Sequence, residues 1–190
     1  MLQTDPLAPE TLGADLRALR KSRGLTLTDM AEGLGRSVGW LSQVERDLSD
    51  PAISDLRQIA SLLNVPMSML FRHEAAPAAE AGYVVRQGTR RAMGSHTEGL
   101  VEELLSPDLT DDFEVVHSTF APHSKVAQPV IRPTQEVGYL ISGRLDLEVA
   151  GKLFHINPGD SFRIKGEPFR WKNPYETPAV AVWVIAPPVY

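Results

Sequence analysis

Across residues 24–63 apolar positions recur with the period of a helix, in segments parted by a glycine turn. Leu27, Met30, Ala31 and Leu34 fall at i, i+3, i+4 and i+7, which makes one buried face. Thr26 is placed to cap that helix, with Asp29 in its first turn. Gly35 is placed to end it by taking a positive φ. Ser37 can cap the next helix, whose apolar stripe is Leu41, Val44 and Leu48. Residues 10–23 form a preceding helix with Leu12, Leu16 and Leu19 inward. Pro51 bars continuation of the third helix, so a loop follows it. A fourth helix spans 54–63, with Leu56, Ile59, Ala60 and Leu63 inward and Asn64 as a left-handed cap. Pro66 opens a short fifth helix ending near Phe71.

Residues 1–9 are polar and proline-containing, and frayed ends are expected there. Residues 72–82 are rich in alanine, proline and glutamate and read as a linker, or as an extension of the fifth helix that Pro77 ends. From Tyr83 onward the period changes to alternation. Residues 113–120 alternate, and 144–149 place three charges on one face and Leu145, Leu147 and Val149 on the other. Gly151 closes a hairpin into 153–156, Phe162 and Ile164 are in phase, and Phe169 pairs with Trp171. Residues 180–185 are apolar on both faces, as for a strand buried on both sides or at a dimer interface. Many short strands with glycine and proline turns indicate an all-β sandwich or barrel.

The helical half carries a second stripe that is chemical rather than structural. Gly39, Ser42, Gln43 and Arg46 repeat the i, i+3, i+4, i+7 spacing opposite the apolar face. Gln can bond adenine, Arg can bond guanine or phosphate, and Gly and Ser permit close approach in a major groove. Any solvated helix face is also polar; the short turn into a capped helix favours the DNA reader. Glu45 lies at the edge of the apolar stripe, where a carboxylate needs a partner, and Arg20 is the candidate.

Composition narrows the class. The 190 residues contain no cysteine, which excludes disulfides and thiolate metal sites. The first ten residues lack the basic and apolar regions of a signal peptide, and the longest apolar run, 179–186, is too short to span a bilayer. A soluble cytoplasmic protein with no membrane partner is expected. The net charge of −5 argues against non-specific nucleic-acid binding. Residues 1–75 hold eight Lys or Arg against ten Asp or Glu, a sum of −2, so positive charge must be concentrated locally, by Arg36, Arg46 and Arg23. Modest affinity per monomer then calls for a homodimer on a double-stranded operator.

Residues 11–71 resemble the helix-turn-helix domain of the Xre/Cro-repressor family. Leu16, Arg20, Gly24, Leu27, Ala31, Gly35, Leu41, Ser42, Val44, Glu45, Pro51, Leu56, Ile59, Ala60 and Leu63 carry the match. The resemblance implies five helices and an Arg20–Glu45 ion pair. It makes the helix opening at Ser37 the recognition helix, with Arg36, Ser37, Val38, Gly39, Ser42, Gln43 and Arg46 toward DNA. Two positions depart from the family: Leu27 stands where many members have a phosphate-contacting Gln, and Asp47 where Gly is usual.

The β half resembles a cupin, a double-stranded β-helix or jelly-roll barrel, in residues 129–143, spaced from Glu136 to Gly143, and in the Pro158-Gly159-Asp160 turn continuing to Asn173. Metal-binding cupins use His-x-His, Glu and a distant His. Those positions here are Val130, Arg132, Glu136 and Phe169, so neither a metal nor another cofactor is expected. The histidines at 73, 96, 117, 123 and 155 all miss the ligand positions, and an improvised site would need His117, His123 and Glu136 together. By the resemblance Val130, Arg132, Glu136, Phe169 and Trp171 line a cavity, and His117 can point into it from its strand. Arg132 could clamp a carboxylate and Glu136 an amine or hydroxyl, for an effector such as an amino acid, an amine or an organic acid. The same pair could instead bond each other and fill the space.

The resulting layout is a helix-turn-helix domain at 10–71, a linker at 72–82 and a cupin effector-binding and dimerisation domain at 83–190. The order resembles that of bacterial one-component regulators. The expected function is a dimeric, non-enzymatic transcription regulator. The alternatives are a metal-dependent epoxidase of the same domain order, whose histidine pair is missing here, and a regulator whose barrel only dimerises.

Overall fold

The computed structural model describes residues 11–65, 67–70, 80, 82–93, 97–107, 109 and 111–188. The N-terminal segment and most of the linker expected at 72–82 lie outside these. Two compact units result: a helical one that runs to Arg91 and takes in Pro107 and Leu109, and a β unit holding the rest.

The helical unit contains α1 (Leu12–Ser22), α2 (Leu27–Gly33), α3 (Val38–Val44) and α4 (Ile53–Leu63). The caps are those the side chains favour. Thr26 and Asp29 exchange bonds as a full capping box on α2, the Ser37 hydroxyl accepts from Trp40 N at 3.1 Å on α3, and Asn64 takes the left-handed conformation after α4. Gly35 turns the chain between α2 and α3 at φ 62. The fifth helix is corrected: Met67–Leu70 form a single 3-10 turn, too short to gain the i to i+4 bonds of an α-helix. Leu16, Leu19, Met30, Leu41, Ile59, Leu63 and Met69 are fully buried and make the core.

Asp47 follows α3 at φ 56, a conformation that L-residues adopt reluctantly. Its carboxylate accepts from the Thr11 hydroxyl at 2.5 Å and from Gly13 N at 2.9 Å, at the start of α1. The aspartate thus satisfies an orphan donor of α1 and ties that helix to the end of α3. Arg91 joins the same unit through Asp15 at 2.8 Å and the Met69 carbonyl at 3.3 Å.

Among the described residues there are nine strands, all in the β unit but for Arg91: β1 (Arg91–Ala92), β2 (Leu100–Leu104), β3 (Glu114–Phe120), β4 (Gln135–Ser142), β5 (Leu145–Val149), β6 (Lys152–Ile156), β7 (Ser161–Lys165), β8 (Phe169–Lys172) and β9 (Ala179–Ala186). Six form one sheet in the order β1-β2-β3-β9-β4-β7, and three form a second in the order β6-β5-β8. The last strand therefore lies between β3 and β4, antiparallel to both. Inward residues alternate along β3, β4, β8 and β9, and Phe120, Leu140, Leu145, Leu147, Trp171 and Ala181 pack together in the core of the unit. Asn173 is wholly buried and donates to the carbonyls of Phe120 and Thr177, which fixes the turn into β9.

On the outer face of the smaller sheet, Asp146 is 4% exposed yet fully engaged. It accepts from Tyr175 OH at 2.9 Å, bonds His155 Nδ1 at 2.7 Å and has Lys172 Nζ at 3.4 Å. Burial alone would raise its carboxyl; the hydrogen bonds of His155, Tyr175 and Lys172 outweigh that and hold it below the usual carboxylate range.

Candidate functional site

The first candidate surface is α3. Leu41 and Val44 point inward with Glu45, so the opposite side must face out. Gly39, Gln43 and Arg46 are exposed there, Ser42 is half-buried, and Val38 is 41% exposed. A Cβ built at Gly39 meets nothing within 4 Å, so no contact within the protein requires glycine in this helix. Arg46 lies back along the helix, its Nε donating to the Ser42 carbonyl at 3.0 Å.

The three arginines expected to supply local charge divide. Arg36 is half engaged, its Nη2 at 2.5 Å from Asp55 and its guanidinium 5.1 Å from the Trp40 ring centroid. Arg23 donates from Nε to the Leu63 carbonyl at 2.8 Å and so serves the C-terminus of α4. Arg46 stays on the exposed face. Trp40, half-buried under Arg36, adds an aromatic edge to this surface that hydrophobic periodicity had left unassigned.

Behind the face sits the ion pair that Glu45 required. Arg20 Nε and Nη2 meet the two oxygens of Glu45 at 2.6 and 2.9 Å, and Nη1 donates to the Leu25 carbonyl at 2.7 Å. Both side chains are more than nine-tenths buried. The hydrogen bond to Glu45 raises the Arg20 guanidinium further above its already high value.

The second candidate site is the barrel interior. Glu136 is 1% exposed and accepts from the Thr134 hydroxyl at 2.7 Å. Arg132 approaches it only to 4.0 Å and keeps a third of its side chain exposed, so the two do not simply close on each other. A second carboxylate joins them. Glu102 of β2 accepts from Ser118 Oγ at 3.1 Å. Burial pushes its carboxyl above the ordinary range; Ser118 and Arg132 pull it down, and Glu136 pushes it up again. Nearby on β9, Trp183 lies inward between Val116 of β3 and Gly138 of β4, with its ring edge on Phe162 at 4.9 Å. Any Cβ at residue 138 would strike the Phe162 ring at 2.2 Å, so glycine makes room for this aromatic pair. The Trp183 indole N–H is buried and has no hydrogen-bond partner.

The expected lining residues separate. Val130 bridges to Phe169, and Phe169 is buried in the barrel. Trp171 is spent on Phe120, edge-on at 4.7 Å. His117 is a correction: β3 turns Val116 and Ser118 inward, so His117 falls on the outer face, where its Nδ1 is 3.8 Å from Glu103. His123 stands at a turn near Glu176, 3.2 Å away, so His117, His123 and Glu136 do not converge. The residues at the usual cupin ligand positions, Val130, Arg132, Glu136 and Phe169, offer one carboxylate and a repelling cation, which do not fit a metal ion. Among the described residues no three His, Cys, Asp or Glu side chains are grouped to hold one. The signal for Glu102 was present in the run Leu100-Val-Glu-Glu-Leu104: adjacent glutamates in a strand must place one on each face.

Known proteins match both halves. The helix-turn-helix domain family matches residues 11–70 and the cupin domain family residues 116–185. The HTH-type transcriptional regulator SutR of Escherichia coli (strain K12) is 30% identical over 165 residues, covering 82% of this chain and 83% of that protein. The HTH-type transcriptional regulator PuuR of the same organism is 26% identical over 176 residues, covering 90% and 91%. Among solved structures, KdgF from Halomonas sp. superposes with a TM-score of 0.50 at 15% identity over 57% of this chain and 96% of that one, a likeness of fold alone. Among the described residues no helix is long and apolar enough to cross a membrane. Related to SutR over 82% of its length and matched in two domains, this chain belongs to the HTH-type transcriptional regulators and carries a cupin domain behind its DNA-binding one.

Proposed function

We propose that the chain is a dimeric, sequence-specific regulator that reads an operator through α3 and senses a small polar molecule in its barrel without the usual cupin metal. The observation that carries the DNA-reading role is the face of Gly39, Ser42, Gln43 and Arg46, solvent-facing and held rigid from behind by the Arg20–Glu45 pair. Arg36, Ser37 and Val38 at the start of the helix complete the surface toward the groove and the phosphates. The protein acts on DNA in the cytoplasm and carries out no reaction of its own.

Dimerisation is supported by the outer face of the six-stranded sheet. Val137 and Tyr139 of β4 stand directly beside Val184 and Val182 of β9, and Val137, Tyr139, Ile141 and Val184 are each 44–49% exposed in the single chain. Such a contiguous apolar surface suits a second copy of the same sheet. Two reading heads would then meet half-sites roughly 34 Å apart. Sensing is supported by the polar groups that the barrel turns inward: Arg132 stands off from the buried Glu136, Glu102 is held by Ser118, and the Trp183 indole N–H has no partner. A ligand shifts DNA affinity only if it binds the two operating states unequally.

The test is enrichment of binding sequences from a random duplex pool by the full chain. A near-palindromic consensus is expected. Gln43→Ala should then weaken binding by about 1–3 kcal/mol and relax selection at one base pair of each half-site. A pool that never enriches, or a Gln43→Ala chain that selects the same consensus equally tightly, would remove α3 from the reading role.

A further inference from the structure

We propose, resting on the sensing role of the barrel, that its ligand carries an ammonium group and an acceptor oxygen, and that Glu102 holds the ammonium together with Glu136. Charge comes first. Glu102, bonded to Ser118 on the inner face of β3, and Glu136, on the inner face of β4, both turn to the interior, and Arg132 lies 4.0 Å from Glu136. Glu114 of β3 is wholly buried on the same inner face and stands across Ile185 from Glu136, so carboxylates outnumber the Arg132 guanidinium there. A purely anionic ligand would add further negative charge to a region that already drives Glu102 toward protonation. An ammonium group instead gives each carboxylate a cationic donor and leaves Arg132 free to hold an oxygen.

Trp183 supplies an independent observation. Its side chain is 95% buried, being 5% exposed, and its indole N–H donates to nothing. An unmet donor of this kind destabilises a folded protein, because it has lost water and gained no acceptor. Register places it on the inner face of β9, between β3, which carries the Ser118 partner of Glu102, and β4, which carries Glu136. A ligand oxygen accepting from this N–H would satisfy it. Thr134 already donates to one oxygen of Glu136, so that carboxylate is pre-oriented rather than spent. Arg132, with a third of its side chain in solvent, marks the open side. The matching chemistry is an amino acid or an amino alcohol rather than an organic acid.

Calorimetric titration and thermal melting of the full chain with ethanolamine, γ-aminobutyrate, glycine, propylamine and butyrate at millimolar concentration test the assignment. Ethanolamine or an amino acid should bind and raise the melting temperature, propylamine more weakly, and butyrate not at all. Glu102→Gln keeps the acceptor for Ser118 and removes the charge, and should weaken the ammonium-bearing probes by about ten- to a hundredfold. Trp183→Phe should erase the preference for ethanolamine over propylamine. If Glu102→Gln does not fold, Glu102→Asp, with the charge on a shorter arm, tests the same contact and should bind less tightly than the parent. Butyrate binding without the amines, amine binding untouched by either Glu102 variant, or silence from all five probes overturns the inference. The sensing role is judged separately, by whether Arg132→Ala with Glu136→Ala alters the operator response to a cell extract.

Discussion

Glycine at position 39 is an expensive choice for a helix, since it lowers helix stability by about 0.5–1 kcal/mol relative to alanine. Nothing in the protein occupies the place of its missing side chain. Gly39→Ala should therefore raise the unfolding free energy by about that amount in urea titration while weakening operator binding. Gains in both, or loss in both, would show that the glycine does not serve close approach to DNA. Glu45 predicts the opposite pattern. Glu45→Ala leaves a buried guanidinium without its two acceptors and should cost about 3–5 kcal/mol of stability. Near-normal melting with lost DNA binding would move Glu45 to the interface. At this scale the spacing of Leu16, Arg20, Leu41 and Glu45 was enough to name the pair. Asp47 was not readable in the same way. Its partners lie 34 and 36 positions away at the opening of α1, and local pattern carries no trace of a cap supplied from such a distance.

Among elements, periodicity was most informative where one face is buried. α2 and α4 follow their apolar stripes, and β3 its alternation; α3 follows its stripe at Leu41 and Val44, but Leu48, expected in the same stripe, falls past the end of the helix and is 67% exposed. It failed where a segment is short or its charges break the pattern. The 3-10 turn at Met67–Leu70 is a single turn, and β2 hid behind paired glutamates. The same β2 brings Glu102 into the barrel, so the missed strand and the missed site residue are one omission. The three-stranded sheet adds a pH dependence. Because the folded Asp146 carboxyl lies below its unfolded value, its contribution is present above the unfolded value and is lost as pH falls through the folded one. Melting followed from neutral to acid pH should decline more steeply in the parent than in Asp146→Asn, which has no such group to titrate. Equal slopes would mean that His155, Tyr175 and Lys172 do not stabilise the carboxylate in solution.

For the whole molecule, the net charge of −5 and the proposed dimer bear on one another. A chain without a broad basic surface gains affinity by presenting two small reading faces at once. Tyr139→Glu places a charge in the apolar outer face of β4. It should yield a monomer in sedimentation and reduce operator affinity by one or more orders of magnitude, about what is lost with bivalency. A dimeric Tyr139→Glu chain would place the interface elsewhere. The apolar run at 180–185 anticipated this surface, and the ladder sorts its two faces: Ala181, Trp183 and Ile185 inward, Val182 and Val184 outward. The domain order was legible because helical and alternating periods do not overlap in this chain. The outer apolar face was legible only once β4 was known to lie beside β9, two strands far apart in the sequence.

That pairing has a consequence for biogenesis. The central strand of the larger sheet is the final one to leave the ribosome, so β3 and β4 must wait with bare edges until Ala179–Ala186 arrive. The helical unit, whose contacts are far more local, can close long before. A message cut short just ahead of residue 179 would thus release a helix-turn-helix unit attached to an aggregation-prone half-sheet.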